Sequence, residues 1–503
     1  MSVATTYTAQ ALVTGGASIT VEADLAKGLH SFTIVGLAGK AIEEAKDRVN
    51  AAIKNSGLKA PKSQNQKITI SLAPADLKKE GPLFDLPIAI AYLCANDTIT
   101  IDTTKRMFVG ELSLSGELRP VKGVLSVAQT AAREGFAEIV VPEDNAAEAA
   151  LVSGITVIGA ATLAEVLQHV RSDDEYALPA TPLSIISDEW FEGMVRLEDI
   201  KGQEQAKRGL IIAAAGRHNS LMVGPPGTGK TMLARAFQNI LPPLSREESL
   251  AVTAIHSIAG EIKGTVTSQP PFRTPHHTAS HTALVGGGSN PRPGEITLAH
   301  KGVLFVDEFP EFERRSIDAL RQPLEDRVVT ISRVQSSAVF PADFILIAAM
   351  NPYRGTEDGS TDYAATMMET YKGKISGPIL DRIDLWLPVP HVDYDTLTSH
   401  SASTDETEVA RTTILDARAQ MAERLKHTKA DTNATMTARD IEDTIVLTED
   451  VTTILKTAST KLNLSPRSYH RVIKVARTIA DLAQQETIAP EHVYEALQYR
   501  VQL

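Results

Sequence analysis

Gly224-Pro225-Pro226-Gly227-Thr228-Gly229-Lys230-Thr231 is the stretch that decides how this chain reads. It joins an apolar run, Leu221-Met222-Val223, to a helix-like segment, Met232 to Phe237. Glycines at this spacing let the backbone curl so that successive N–H groups point inward, and the N-terminus of the following helix adds its positive end. A lysine after such a turn reaches the β- and γ-phosphate oxygens, and a hydroxyl after the lysine holds Mg²⁺. The full pattern in a strand–turn–helix setting predicts an ATP site with Mg²⁺. Gly224, Pro225, Pro226, Gly227, Thr228, Gly229, Lys230 and Thr231 contact the nucleotide, and Thr231 also contacts the metal. Gly36-Leu37-Ala38-Gly39-Lys40-Ala41 has too short a spacing and no hydroxyl after its lysine, so it reads as a turn.

Outward from the cradle, Gly302-Val303-Leu304-Phe305-Val306-Asp307-Glu308 ends a hydrophobic strand in two carboxylates. A phosphate-loop enzyme needs one acid there to hold Mg²⁺ and another to activate water. Asp307 is the predicted metal residue and Glu308 the predicted general base; alone, the pair would read as an acidic turn. Asn351 follows the strand Phe344 to Met350, where an amide can bond the γ-phosphate or orient the lytic water. Arg382, in Gly377 to Asp384, is a candidate arginine finger supplied to a neighbouring subunit, although an ion pair with Asp381 or Asp384 fits the spacing equally. Ser465-Pro466 has the form of an N-cap followed by a first-turn proline. The helix it opens carries Arg467, His470, Arg471 and Lys474 on one face, with no acid between Lys461 and Ala480.

The chain has 503 residues, 43% of them hydrophobic and 22% charged, which is ordinary globular composition for about three domains. A net charge of −12 argues against a nonspecific nucleic-acid coat, so any such contact must come from local basic patches. The single Cys94 excludes an internal disulfide and a cysteine-rich zinc site, which suits a reducing cytoplasm. Met1 to Gln10 lacks a basic start and an apolar core, and runs such as Leu86 to Ala95 are too short to cross a bilayer. A soluble, cytoplasmic protein without membrane association is expected.

Residues 1–172 alternate β-branched runs with helical stretches, the pattern of a separate α+β domain. Acidic and turn-forming residues over 173–194 predict a linker. From 195 to 396 the order of helix, strand, phosphate loop, helix and buried strands predicts an α/β core, a parallel sheet flanked by helices. Helix periodicity then dominates 397–503, predicting an all-α lid.

These elements in this order, with Asp199-Ile200-Lys201-Gly202-Gln203 before the loop, resemble an AAA+ ATPase. Pro275 to Ser280, Gly286-Gly287-Gly288, Pro293 to Gly302, Ser376 to Asp384 and Arg467 to Leu482 resemble more closely the magnesium-chelatase-like ATPases of the YifB/ComM family, along essentially the whole chain. The resemblance implies a homo-hexameric ring with ATP between subunits. In it Asn351 is sensor 1, Arg382 the finger given to the neighbour, and Arg467 sensor 2, acting across the interface. It also implies a pore insertion around 256–300, a hairpin at Val329 to Phe340, and DNA branch migration in recombination during natural transformation. The first domain resembles the Lon protease domain, chiefly at Gly110 to Val121 and Ile139 to Asn145. Leu83 stands where that pattern has its serine and Leu125 where it has its lysine, which argues against proteolysis. A similar protease fold without its dyad is the DNA-binding, ring-forming module of RadA-type recombination ATPases, and the resemblance implies that role here. Many relatives carry cysteines just after the sensor-1 Asn-Pro; here the chain reads Asn351-Pro352-Tyr353-Arg354-Gly355, so properties tied to those cysteines are not expected.

DNA, single-stranded or branched, is the expected partner. Lys54, Lys59, Lys62 and Lys67 lie in an acid-free stretch, as do Lys263, Arg273, Arg292 and the histidines 276, 277 and 281; both can neutralise phosphates or simply be solvated surface. A metal-insertion ATPase subunit, like that of magnesium chelatase, and an ATP-gated assembly scaffold are the rival readings.

Overall fold

The computed structural model describes residues 3–500 apart from 14, 172–176, 189–192, 263–265, 289–290, 334–335, 352–374, 394 and 396–404. Residues 352–355, which come directly after Asn351, therefore lie outside the described residues, as do Lys263 and parts of the expected linker over 173–194. The chain forms two compact units, Met1–Ser187 with Arg246–Thr267, and Asp188–Ser245 with Ser268–Leu503.

In the first unit, seven strands form one mixed sheet in the order Ser31–Val35, Gln66–Ala73, Ala17–Lys27, Val3–Gln10, Arg106–Phe108, Glu138–Pro142, Thr156–Ala160. Val3–Gln10, Ala17–Lys27 and Gln66–Ala73 pair antiparallel, and the remaining pairs are parallel. Ile19, Val21 and Ala23 point to the core at alternate positions, as a strand with one covered face requires. The helix Asp85–Ala95 is apolar on every side and is the buried spine of the unit. Its first residue is charged, and Arg48 compensates it with a forked contact, Nε to Oδ2 at 2.6 Å and Nη2 to Oδ1 at 2.9 Å. Leu83 and Leu125 are both buried in this apolar core.

The helix Arg246–Ala259 belongs to this unit, not to the nucleotide core, so the stretch read as one core over 195–396 is interrupted. Ala254 packs into the first unit's hydrophobic cluster. Ser257 Oγ accepts from the Gly123 N–H at 2.9 Å and donates to Glu148.

The second unit holds a five-stranded, all-parallel sheet in the order Phe272–Arg273, Val303–Val306, Ile345–Met350, Ser220–Val223, Leu385–Pro388. Val303–Val306 and Ile345–Met350 are buried at every position, as parallel strands covered on both faces should be. A two-stranded hairpin pairs Val328–Arg333 with Ser336–Pro341. Beyond residue 404 the described elements are helical: Glu406–Leu425, Asn433–Thr435, Ala438–Thr444, Glu449–Lys461, Pro466–Leu482 and Pro490–Gln498. Ser465 caps the fifth of these through the Ser468 N–H at 3.2 Å, and Pro466 opens it. Among the described residues no helix is long and apolar enough to cross a membrane.

Candidate functional site

The strand Ser220–Val223 lies between Ile345–Met350 and Leu385–Pro388, so the order of strands reverses beside it. In an open parallel sheet the crevice beyond the strands' C-terminal ends is deepest at such a point. The phosphate loop opens there, with Val223 in register with Met350 and Val306 with Ala348, which brings three strand ends side by side.

Glycine is required in the loop for two reasons. At Gly224 an added Cβ would lie 2.0 Å from the Val389 carbonyl oxygen, so only a bare α-carbon lets the loop pass. Gly227 and Gly229 have φ of +79° and +91°, in the left-handed region that a side chain opposes. Thr228 Oγ1 donates to the Pro225 carbonyl at 2.9 Å, closing the turn. Lys230 then starts an eleven-residue helix, Lys230–Ile240, whose free N–H groups face the crevice.

Lys230 Nζ donates to Gly224 O and Pro225 O, both at 2.8 Å, and to Asn351 Oδ1 at 2.9 Å. All three acceptors are neutral, and burial pushes this ammonium below the ordinary lysine value. Thr231 Oγ1 lies 3.2 Å from Asp307 Oδ2, so a hydroxyl and a carboxylate face each other as a hard, oxygen-preferring cation such as Mg²⁺ requires. The Glu308 N–H donates to Asp307 Oδ1 at 2.8 Å, and Glu308 has φ of 49°, an uncommon conformation that turns it away from the strand axis. The structure thus brings together the loop 224–231, Asp307, Glu308 and Asn351. Bare glycines, a helix N-terminus, a buried ammonium and the facing oxygens fit a nucleoside triphosphate with Mg²⁺.

Two residues at this site escape the sequence reading. His277 Nδ1 lies 3.1 Å from Glu308 Oε2, so a histidine taken as part of a basic stretch instead contacts the predicted base. Gln203, itself left-handed at φ 63°, donates to Pro390 O at 2.7 Å and to Thr228 O at 3.5 Å, clamping the loop from behind. The pattern Asp199 to Gln203 marks the region but not this contact.

Arg382 and Arg467 lie elsewhere. Arg382 precedes the strand Leu385–Pro388, and the cavity it lines is also bounded by Asn219 and Phe344, each just before a neighbouring strand. This is the N-terminal edge of the parallel sheet, a strand's length (roughly 13 Å for four residues) from the cradle at the other edge. Arg382 is buried and bonds Glu325 and the Pro378 carbonyl, while its Nε has no partner. Neither expected aspartate partner is used: Asp384 takes Arg471 Nε at 3.1 Å and His218 Nδ1 at 3.3 Å. Arg467 Nη2 lies 3.5 Å from the other oxygen of Glu325. Arg217, Arg327, Arg471 and Lys474 join these two arginines around a cavity of about 200 Å³ whose lining carboxylates are Asp343 and Asp384. Burial, aided by the neighbouring arginines, lowers Arg471 and Lys474 from their ordinary values.

Of the basic stretches, Lys54, Lys59 and Lys67 are exposed and Lys62 pairs with Asp47 at 2.7 Å. Arg273 is committed to Glu295 through a forked contact at 2.7 and 2.9 Å, which removes it from the expected phosphate-binding set, whereas Arg292 is exposed.

Three family models match the chain: magnesium chelatase, subunit ChlI, over residues 196–397; subunit ChlI of Mg-chelatase over 21–145; and its C-terminal part over 404–500. Competence protein ComM of Haemophilus influenzae is 42% identical over 509 residues, covering 99% of this chain and 98% of that one. YifB of Escherichia coli is 42% identical over 507 residues (99% and 97%), and Rv2897c of Mycobacterium tuberculosis is 38% identical over 491 residues (96% of each). The chain belongs to the ComM/YifB family of magnesium-chelatase-like AAA+ ATPases.

Proposed function

We propose that this chain is an ATP-hydrolysing ring motor that acts on DNA, a branch-migration helicase of recombination and natural transformation. The observation that carries the ATPase part is the meeting of Lys230 with Asn351 and of Thr231 with Asp307 at adjacent strand ends. Lys230 binds the β- and γ-phosphate oxygens, exchanging its neutral carbonyl acceptors for charged ones. Thr231 and Asp307 would hold Mg²⁺, which when bound would neutralise phosphate charge. Glu308 takes the proton of the attacking water, and Asn351 orients that water or the γ-phosphate. Because Arg382 and Arg467 lie at the opposite edge of the sheet, they serve the ATP of a neighbouring subunit, which makes a ring, a hexamer, the working form.

The DNA part draws on the full-length likeness to a competence protein, on exposed Lys54, Lys59 and Lys67, and on a Lon-like first domain whose dyad positions are leucines. In this reading residues 173–194 link that domain to the ATPase core, the helices beyond residue 404 form the lid, and the protein works in the cytoplasm. ATP turnover measured with and without single-stranded and branched DNA, followed by strand displacement, tests the reading. Lys230→Ala abolishes turnover, and Glu308→Gln retains ATP but loses hydrolysis by about a hundredfold or more. Absence of both DNA stimulation and displacement would sink the helicase and favour a metal-insertion or scaffold role.

A further inference from the structure

The two cations assigned to the neighbour's ATP share one carboxylate in their own protomer. Glu325 Oε2 takes Arg382 Nη2, and Glu325 Oε1 lies 3.5 Å from Arg467 Nη2. The three residues come from separate elements: Glu325 from the helix Arg321–Asp326, Arg382 from the turn before Leu385–Pro388, and Arg467 from the first turn of Pro466–Leu482. Nothing local forces them together. The Glu325 and Arg467 side chains are each about half exposed, at 50% and 46%, while Arg382 behind them is nearly enclosed at 4%. The carboxylate is thus more open to solvent than the Arg382 it holds, and both of its cations line the cation-rich cavity.

The geometry points to Glu325 as a positioning residue for both arginines, an internal anion that holds them where a γ-phosphate is received and that only a triphosphate from the neighbouring subunit displaces. This inference rests on the in-trans assignment of Arg382 and Arg467. A carboxylate and a terminal phosphate each offer a guanidinium fork two acceptor oxygens, but the phosphate carries more charge. ATP therefore wins the exchange. ADP does not, because its β-phosphate ends one phosphoryl group short of the pair. The arginine contacts hold the Glu325 carboxyl below the usual range, so it stays charged and competitive at neutral pH. Glu325 would thereby set the ATP concentration at which the neighbour's nucleotide takes the arginine pair.

The test is a kinetic split on the full chain. Glu325→Gln keeps shape and removes charge, and at a half-exposed site it should leave thermal stability intact. Because partly exposed pairs to arginine are modest, the expected result is a fall of about fivefold in the half-saturating ATP concentration with kcat within twofold. ADP, which ends short of the pair, should inhibit at an unchanged concentration and support ring assembly, read by mass photometry, no better than in the unaltered chain. Glu325→Asp, which keeps the charge, should restore the original discrimination. An unchanged or raised half-saturation in Glu325→Gln, or a loss confined to kcat, overturns the inference. Arg382→Ala and Arg467→Ala separate the two layers. If both abolish turnover while Glu325→Gln leaves the ATP–ADP contrast intact, only the role of Glu325 falls; if both turn over normally, the in-trans assignment falls and takes the inference with it.

Discussion

Asp343 shows how tightly single side chains are bound into the second unit. It sits just before the strand Ile345–Met350 and meets Lys301 Nζ at 2.9 Å, Arg217 Nη2 at 3.2 Å and Arg327 Nε at 3.8 Å. Burial alone would raise its carboxyl, but the three cations outweigh that and hold it far below the usual carboxylate range. A folded-state value below the unfolded one means that the unfolded chain binds the extra proton. The stabilisation is therefore complete above about pH 4 and is lost as pH falls further. Asp343→Asn should cost about 3 kcal/mol at neutral pH, because three cations lose their counter-charge, and should flatten the acid limb of the stability profile. Denaturant titrations between pH 3 and 7 check both. At this scale the cradle is legible in the sequence because its determinants lie within eight consecutive residues whose conformations glycine dictates. The partner of Arg382 is not, since three carboxylates compete for it and strand direction, invisible in spacing, aims Asp384 at His218 and Arg471 instead.

Among elements, the helix Pro466–Leu482 is the most readable beyond the cradle. Its cap, its first-turn proline and its apolar period lie close together along the chain. What the sequence does not reveal is what its far end holds. Asp481, fully buried, accepts both prongs of Arg424 at 2.7 Å, Arg477 Nε at 3.1 Å and Asn433 Nδ2 at 2.8 Å, tying three helical elements to one carboxylate. Asp481→Ala leaves the buried Arg477 and the part-buried Arg424 without a counter-charge and should destabilise the region beyond residue 404 by about 3 kcal/mol. Hydrogen exchange should show that region opening before the parallel sheet. Equal protection of helices and sheet in the variant would mean that Asp481 is peripheral. By contrast, the histidine contact to Glu308 leaves no periodic signal, because His277 lies in irregular chain between the strand Phe272–Arg273 and the helix His281–Val285.

At the scale of the molecule, chain order and architecture part company. Periodicity separates the first 172 residues from the rest of the chain at the local level, but no pattern within Arg246–Ala259 says which unit its apolar face will join. It joins the first, with Ala254 in that unit's core and Ser257 bridging Gly123 and Glu148. Residues 1–187 made alone should therefore be less stable than the same piece with 246–267 attached through a Gly/Ser linker. The difference should reach several degrees in Tm, since a buried helix face and a buried hydroxyl–carboxylate contact are missing. Glu148 feels this most directly: burial already raises its carboxyl, and Ser257 is one of the groups that offset the effect.

That arrangement also sets a timetable for synthesis. A ribosome releases residues in order, and domains generally close as units once their chain is out. Here the first unit's sheet is complete by residue 160, but the helix that finishes its surface emerges only after the phosphate loop and the helix Lys230–Ile240 have left the exit tunnel. Its last step of closure thus waits on a stretch of the nucleotide core whose neighbouring strands, from Phe272 onward, do not yet exist. For that interval the nascent chain exposes the apolar strand Ser220–Val223 without its sheet, so synthesis of this protein should lean on chaperones between residues 223 and 350 more than at any other point.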